Sequence, residues 1–543
     1  MNNLLLKSER GFATLIALLM VGMLTLLGIA ALSTSDDEVN IAGNAYNEMR
    51  TFYAAEGGLE AAAAALQTEW DSTGVPPMLM PTETREINNC VVTYGTADNG
   101  PATQDVLSTG TLTGLHALVK SFTITSVAVS QNDHGKMELS QTFQTALVPL
   151  FQFAVFYEND LEIAPGPAMT LAGRVHSNGN LWLQAGTSLQ MDSYVTSAGS
   201  IYHGRKGAGS VASGDVTVKD LSGADVSMKD GADWLDADDS HWYDSSVTRW
   251  QGMVQDSEHG QEALNIPLNA AAGGDPHKLI DRGSGNPDSY EHHATLKFID
   301  GQALQLVGGI WNDVTANMIT DGIISFSADQ FTDQRENAQV DVMELDIDLM
   351  YSQGYAPSSG VIYFADSTSD YPALRLRSGS QLDAGLTVAS ANPVYTLGNY
   401  NSVDKKPAAI LADAVTFLSG SWDDSKSAMT KSDRIATNTT VNASYLTGNI
   451  ETTDANYNGG FENLPRFLEE WSGRDFNWLG SAVCLWNSVQ ANGLWNGTYY
   501  SPPDRNWAYD PDLNDPNKLP PETPMIRVFQ RIGWQQKYVG PAN

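Results

Sequence analysis

Cysteine is nearly absent from this sequence: Cys90 and Cys484 are the only two among 543 residues. A pair so far apart supplies neither a cysteine-based zinc site nor a disulfide framework. One long-range disulfide and two buried free thiols are both open. Basic residues are also few, 30 Lys and Arg against 64 Asp and Glu, for a net charge of −34. Such a chain repels phosphate backbones at long range, so nucleic acid is not an expected partner. Catalytic signatures are missing as well. There is no G-x-S-x-G, P-loop, dinucleotide fingerprint, H-E-x-x-H or Cys–His arrangement. Acids such as Asp413 and Glu462 can be named anywhere in so acidic a chain and mark no active site. Neither enzyme activity nor a cofactor is expected.

What the chain does have is apolar surface. With 42% hydrophobic residues, 48 Gly and 13 Trp, it can bury enough to offset its ordering entropy, and its length implies two or more folded units.

The strongest local feature is at the N-terminus. No charge occurs from Gly11 to Ser35, and Phe12–Leu32 is one apolar run. At about 1.5 Å per residue it spans a bilayer core of about 30 Å. Val39, Ala42, Tyr46, Met49 and Tyr53 then recur at helical spacing, so the helix continues outward. It is expected to run to about Leu66, before Ser72-Thr73-Gly74-Val75-Pro76-Pro77 breaks it. Two processing routes fit the flanks. An ordinary secretory signal could be cut near Ala30-Ala31-Leu32-Ser33, although the run is long for that role. Alternatively, the charges of Lys7-Ser8-Glu9-Arg10, followed by Gly11 and Phe12, form a short leader.

The second arrangement resembles the leader of type IV prepilins, which implies a cut between Gly11 and Phe12 by the prepilin peptidase and retention of the apolar helix. Downstream, Ile41-Ala42-Gly43-Asn44 and Tyr53-Ala54-Ala55-Glu56-Gly57-Gly58-Leu59 resemble the N-terminal signature of PilX-type minor pilins. The resemblance covers residues 8 to about 66. It implies a single-pass inner-membrane protein whose bulk lies outside the cytoplasm, and the basic leader agrees with the positive-inside rule. It also implies other minor pilins, and a PilY-type adhesin, as partners. One departure matters. Major pilins carry Glu as the fifth residue after the cut, where this chain has Ile16, a departure shared with the tip pseudopilin GspK. A subunit without that carboxylate is poorly suited to sit above a neighbour's buried amine throughout a fibre, so a priming or tip role is implied.

The expected fold class is α+β: the long helix, a β-rich head, and a large Gly- and Asn-rich β region, solenoid or sandwich. By segments, residues 1–11 form the leader, 12–67 the helix (12–32 in the membrane) and 78–150 an antiparallel head sheet, from alternating runs such as Ser121–Val129. Residues 151–229 and 351–440 share a texture of brief apolar steps divided by turn residues. They read as one β structure interrupted by an irregular acidic insertion at 230–350. The insertion's tryptophans, acids and histidines match no metal-ligand spacing.

Residues 441–543 are rich in aromatics, among them Trp471, Trp478, Trp486, Trp495 and Trp507. Buried, they are core; clustered on one exposed face, they would suit adhesion to sugars or proteins. Asp510, Asp512 and Asn514 copy the first half of a calcium loop, which then fails at Asp515 and Pro521. No metal is expected there. The function expected is that of a pilus priming or tip subunit. The alternative is an anchored adhesin or a carbohydrate-active β-helix protein outside the pilus.

Overall fold

The computed structural model describes residues 9–538, apart from 109, 132–134, 208–210, 267–273, 284 and 454–455. Residues 1–8 of the expected leader lie outside the described residues. The fold is α+β: one long helix, an antiparallel head sheet, and a parallel β-solenoid.

Helix α1 (Glu9–Thr73) has 65 residues, about 100 Å at the α-helical rise. From Phe12 to Tyr46 every residue is exposed, after which one face becomes buried. The helix outruns its expected end near Leu66 because Trp70 is still fully packed. It stops where Gly74 adopts a left-handed φ of 71° and donates to the Trp70 carbonyl, a glycine cap for a helix C-terminus. The chain then forms β1 (Thr82–Ile87), β2 (Cys90–Asp98), β3 (Thr103–Val106), β4 (His116–Ser130) and β5 (Lys136–Pro149).

The head sheet has the order β1-β2-β4-β5-β35, with β3 also pairing with β4; β35 is the last strand of the chain (Met525–Tyr538). Met525 pairs with Pro149, and the ladder runs on to Tyr538 and Met137. Everything between Pro149 and Met525 is thus an excursion that starts and ends at neighbouring points of one sheet. The expected 441–543 segment is divided by this pairing, its last strand leaving the aromatic-rich region for the head. Residues that complete a distant sheet carry no local mark of it.

The excursion begins with three coils. β6 (Phe153–Tyr157), β7 (Leu161–Ile163) and β8 (Met169–Leu171) make the first. β9 (Arg174–Ser177), β10 (Leu181–Leu183) and β11 (Ser188–Met191) make the second. β12 (Val195–Ser197), β13 (Ile201–His203) and β14 (Asp215–Lys219) make the third. Val155, Val175 and Val195 stand side by side, as do Leu161, Leu181 and Ile201, a step of 20 residues. At the corners small residues stack: a Cβ on Gly186 would lie 2.6 Å from the Gly166 carbonyl, and one on Gly199 would lie 2.8 Å from that of Gly179. Asp160 accepts from the backbone of Asn180, and Asn180 in turn from that of Ser200. Polar side chains thus satisfy the turn amides that have no strand partner.

Short strands β15 (Asp225–Ser227), β16 (Lys229–Asp230) and β17 (Asp233–Trp234) lead to helix α2 (Trp242–Trp250) and β18 (Val254–Gln255). Trp242 and Trp250 of α2 are buried and close this end of the core. The chain then crosses the outer face of the solenoid, through α3 (Tyr290–His293), to the opposite end. There it resumes with β19 (Leu296–Ile299), β20 (Gln302–Val307), β21 (Ile310–Asp313), α4 (Thr315–Thr320), β22 (Ile324–Asp333), β23 (Ala338–Asp346) and α5 (Ile347–Ser352). Residues 230–350, expected to be irregular, therefore hold helices and strands. Their acids had hidden the pattern because several of them cap local structure, as Asp256, Asp275 and Asp346 do.

From that end the chain winds back. β24 (Val361–Ala365), β26 (Leu386–Ser390), β28 (Ala408–Ala412), β31 (Ser444–Thr447) and β33 (Ala482–Cys484) build one wall. β25 (Pro372–Arg377), β27 (Val394–Leu397) and β29 (Val415–Leu418) extend β22 and β23 into a second. β30 (Thr439–Asn442), β32 (Asp475–Gly480) and β34 (Asp504–Tyr509) form a third. The last strand of the first of these walls, β33, docks in parallel on β6, the first strand of the outgoing arm. The result is one sheet in the order β18-β12-β9-β6-β33-β31-β28-β26-β24-β19, parallel throughout, with β20 and β21 added antiparallel at its end. Strands from residues 151–229 and 351–440 share this sheet, and the docking hides the edges that β6 and β33 would otherwise expose. One face of the sheet fills the solenoid core; the other, with Phe156, Tyr363, Leu411 and Val483, packs against the head and the crossing segment.

Candidate functional site

The features that bear on function are the half-free helix, its junction with the head, and the two ends of the solenoid. Gly11 and Phe12 lie in the first turn of α1, and Ile16 is 40% exposed on its free part. Gly43 and Asn44 are also on the free part, where a Cβ on Gly43 would meet nothing within 4 Å.

The signature around residue 54 lies elsewhere, on the packed half. Ala54, Ala55 and Leu59 are buried against Val92, Tyr94, Phe122 and Ile124 of the sheet. A Cβ on Gly57 would come 3.3 Å from Ile87, and one on Gly58 would come 2.5 Å from Ser126 and 2.6 Å from Val92. These small residues let the helix backbone approach β2 and β4 closely. Glu56 points to solvent. Its neighbour one turn on, Glu60, takes both ends of the Arg531 guanidinium at 2.6 and 2.7 Å, tying the final strand to the helix. Arg527 adds a second tie by donating to the carbonyls of Trp70 and Asp71 at the helix end and of Ile266 in the crossing segment. No local pattern announced either arginine, because each finds its partner only after the last strand has returned.

The aromatics of the C-terminal region are largely interior. Trp471, Trp478, Trp486 and Trp507 are all buried, and Trp495 is half-buried. They build edge-to-face contacts such as Trp478–Trp507 and Phe467–Trp471. They form no exposed adhesive face. At the half calcium loop an ammonium group stands where a cation would: Lys405 bonds Asp510 at 2.5 Å and Asp512 at 2.8 Å, and Lys518 also bonds Asp512. The two lysines hold the Asp512 carboxyl down to about 2. Asn514 accepts from the Tyr509 hydroxyl. The three residues are thus occupied within the fold, and the lysines supply the positive charge. Cys90 and Cys484 are both buried and not bonded to each other. They lie in different cores, the first beneath α1 and the second on β33.

Two buried titratable groups tie the solenoid together. His277, on the crossing segment, bonds Asp281 at 2.6 Å and faces Asp413 at 3.7 Å. Burial opposes its charge, but the two carboxylates raise it to about 9. Asp413 in turn accepts from the backbone amides of Val489, Gln490 and Ala491. Glu462 is buried between the arms, where it accepts from the Ala164 amide; burial pushes its carboxyl up to about 7. Both groups are enclosed by protein and hold distant segments in place. Among the described residues no group of three or more His, Cys, Asp and Glu is placed to hold a metal ion.

No protein-family model matches the chain, and no curated protein does. Among solved structures, the competence-associated pilin ComZ from Thermus thermophilus aligns over 91% of this chain and 98% of its own, at 13% identity and a TM-score of 0.29, too low to show a common fold.

Proposed function

We propose that this chain is a minor pilin-like subunit of a type IV pilus system that presents a β-solenoid at the end of an assembly helix. The observation that carries the reading is the division of α1. Its first half is wholly exposed from Phe12 to Tyr46 and apolar over Phe12–Leu32, and its second half is packed on the head through Ala54, Ala55 and Gly58. So much exposed apolar helix is unfavourable in water and requires lipid or other helices around it. Residues 12–32 cross the inner membrane once, with the leader in the cytoplasm, where the prepilin peptidase removes it by cutting between Gly11 and Phe12. The helix then packs with those of other minor pilins.

Ile16 at the fifth position, with no carboxylate to pair a neighbour's amine, supports a position at the tip or in the priming complex. The bulk of the solenoid favours the same place, since a subunit within a fibre has others above it. At the tip the solenoid meets partners such as a PilY-type adhesin. Any adhesion runs through surfaces other than Trp471, Trp478, Trp486 and Trp507, which are buried. Immunogold labelling of sheared fibres with an antibody against the solenoid tests the placement. Labelling confined to fibre ends is expected; labelling along the sides, or none on fibres, overturns it.

A further inference from the structure

The two ends of the solenoid are finished differently. At one, α2 buries Trp242 and Trp250 at 1% and 0% exposure. At the other, the last strands of two walls, β21 and β22, have no outer strand among the described residues, and the apolar side chains beside them are open. Val307 is 57% exposed, Ile310 67%, Trp311 40%, Ile319 49% and Phe326 41%. Val307 lies on the same face as Ala303, which is in the core, and it pairs with Ile310; Phe326 pairs with Met343, also in the core. Val307, Ile310 and Phe326 are thus inward-facing positions of a coil that no further coil covers among the described residues, while Trp311, which pairs with Leu306, lies on the opposite face.

We propose that this end is a docking edge for an extended segment of a partner protein, basic and apolar in alternation, which adds as one more strand beside β21. The backbone there is available. Val307 and Ile310 flank the two-residue Gly308-Gly309 turn and so exchange hydrogen bonds with each other, which turns the N–H and C=O of Trp311 away from β20. The charge of the occupant follows from the rim. Asp313, Asp321 and Asp329 are exposed, while the nearby guanidinium groups are taken, Arg282 by Asp300 and Arg377 by Glu344 and Asp346. Lys297 rests its ammonium 4.6 Å from the Trp311 ring, a cation–π contact that leaves the rim aspartates unpaired by it. A second copy of this chain, at −34, brings the wrong sign. This reading does not depend on the pilus assignment.

The test titrates full-length protein in detergent into a labelled short peptide of alternating valine and lysine, and into its valine–glutamate counterpart. Saturable binding of the lysine peptide is expected, weaker by about tenfold or more for the glutamate peptide. The same loss is expected for Trp311→Pro, which removes the outward donor, and for Ile310→Lys, which adds repelling charge at an exposed position. If Trp311→Pro lowers the melting temperature, Ile310→Lys alone decides. Equal binding of both peptides, or variants that bind like the parent, would overturn the proposal. So would a concentration-dependent dimer in sedimentation that Ile310→Lys dissolves, because the occupant would then be a second copy.

Discussion

Ser481 donates its hydroxyl to the carbonyl oxygen of Phe153 over 2.6 Å, although 328 residues of chain separate the two. The bond lies at the join between β33 and β6, where the returning arm meets the outgoing one. If this join makes the arms one cooperative unit, damage on one side must be felt on the other. Phe156 is fully buried beside it and pairs with Val483. Phe156→Ala is expected to cost about 3–5 kcal/mol. Hydrogen exchange should show lost protection in β26 and β28 as well as in β9. Loss confined to β9 and β12 would mean that the arms are independent.

Much of this architecture had a local signature, and some had none. The change of texture after Leu161 was legible because each coil places apolar residues inward and turn residues at its corners. The 20-residue step was harder to see. Only some inward and corner positions repeat, such as Val155, Val175 and Val195 or Gly179 and Gly199, and the third coil carries an insertion before β14 that breaks the rhythm. The free half of α1 was legible because nothing in the fold modifies it. The return of β35 to the head was not, because its partner strand lies at the far end of the excursion. The aromatic C-terminal segment shows the same limit from the other side, since composition alone does not tell a buried tryptophan from an exposed one.

The two kinds of glycine in α1 make opposite predictions. Gly43 is in open space on the free half, so Gly43→Ala should leave the melting temperature unchanged or raise it, by about 1 kcal/mol from helix propensity. Gly58 has no room for a side chain, so Gly58→Val should lower it clearly. Loss of pilus assembly in Gly43→Ala without loss of stability would assign that position to contacts between subunits.

Stability should depend on pH through Glu462 and His277, with signs that can be worked out. The Glu462 carboxyl is raised from 4.5 to about 7, so the folded state holds its proton more tightly than the unfolded one. Its contribution is full below about 4.5 and is lost as the pH rises to 7. His277 is raised from 6.5 to about 9. Its contribution is full below 6.5 and is lost as the pH rises through 9. Glu462→Gln should flatten the melting profile between pH 4.5 and 7, and His277→Gln the profile between pH 6.5 and 9. A profile unchanged by either substitution would contradict these assignments.

Because Pro149 and Met525 are paired neighbours, replacing the excursion with a short Asn-Gly turn should leave a head that still folds. A single cooperative melt of that shortened protein in detergent is expected. A chain that fails to melt cooperatively would show that the head depends on the solenoid.

The central claim is that α1 is an assembly helix whose leader is removed by a prepilin peptidase, and N-terminal sequencing of the mature protein from membranes and sheared fibres tests it most directly. The account predicts a chain beginning at Phe12 in the presence of the peptidase and uncut in its absence. A start near Ser33, or an intact Met1 with the peptidase present, would contradict it.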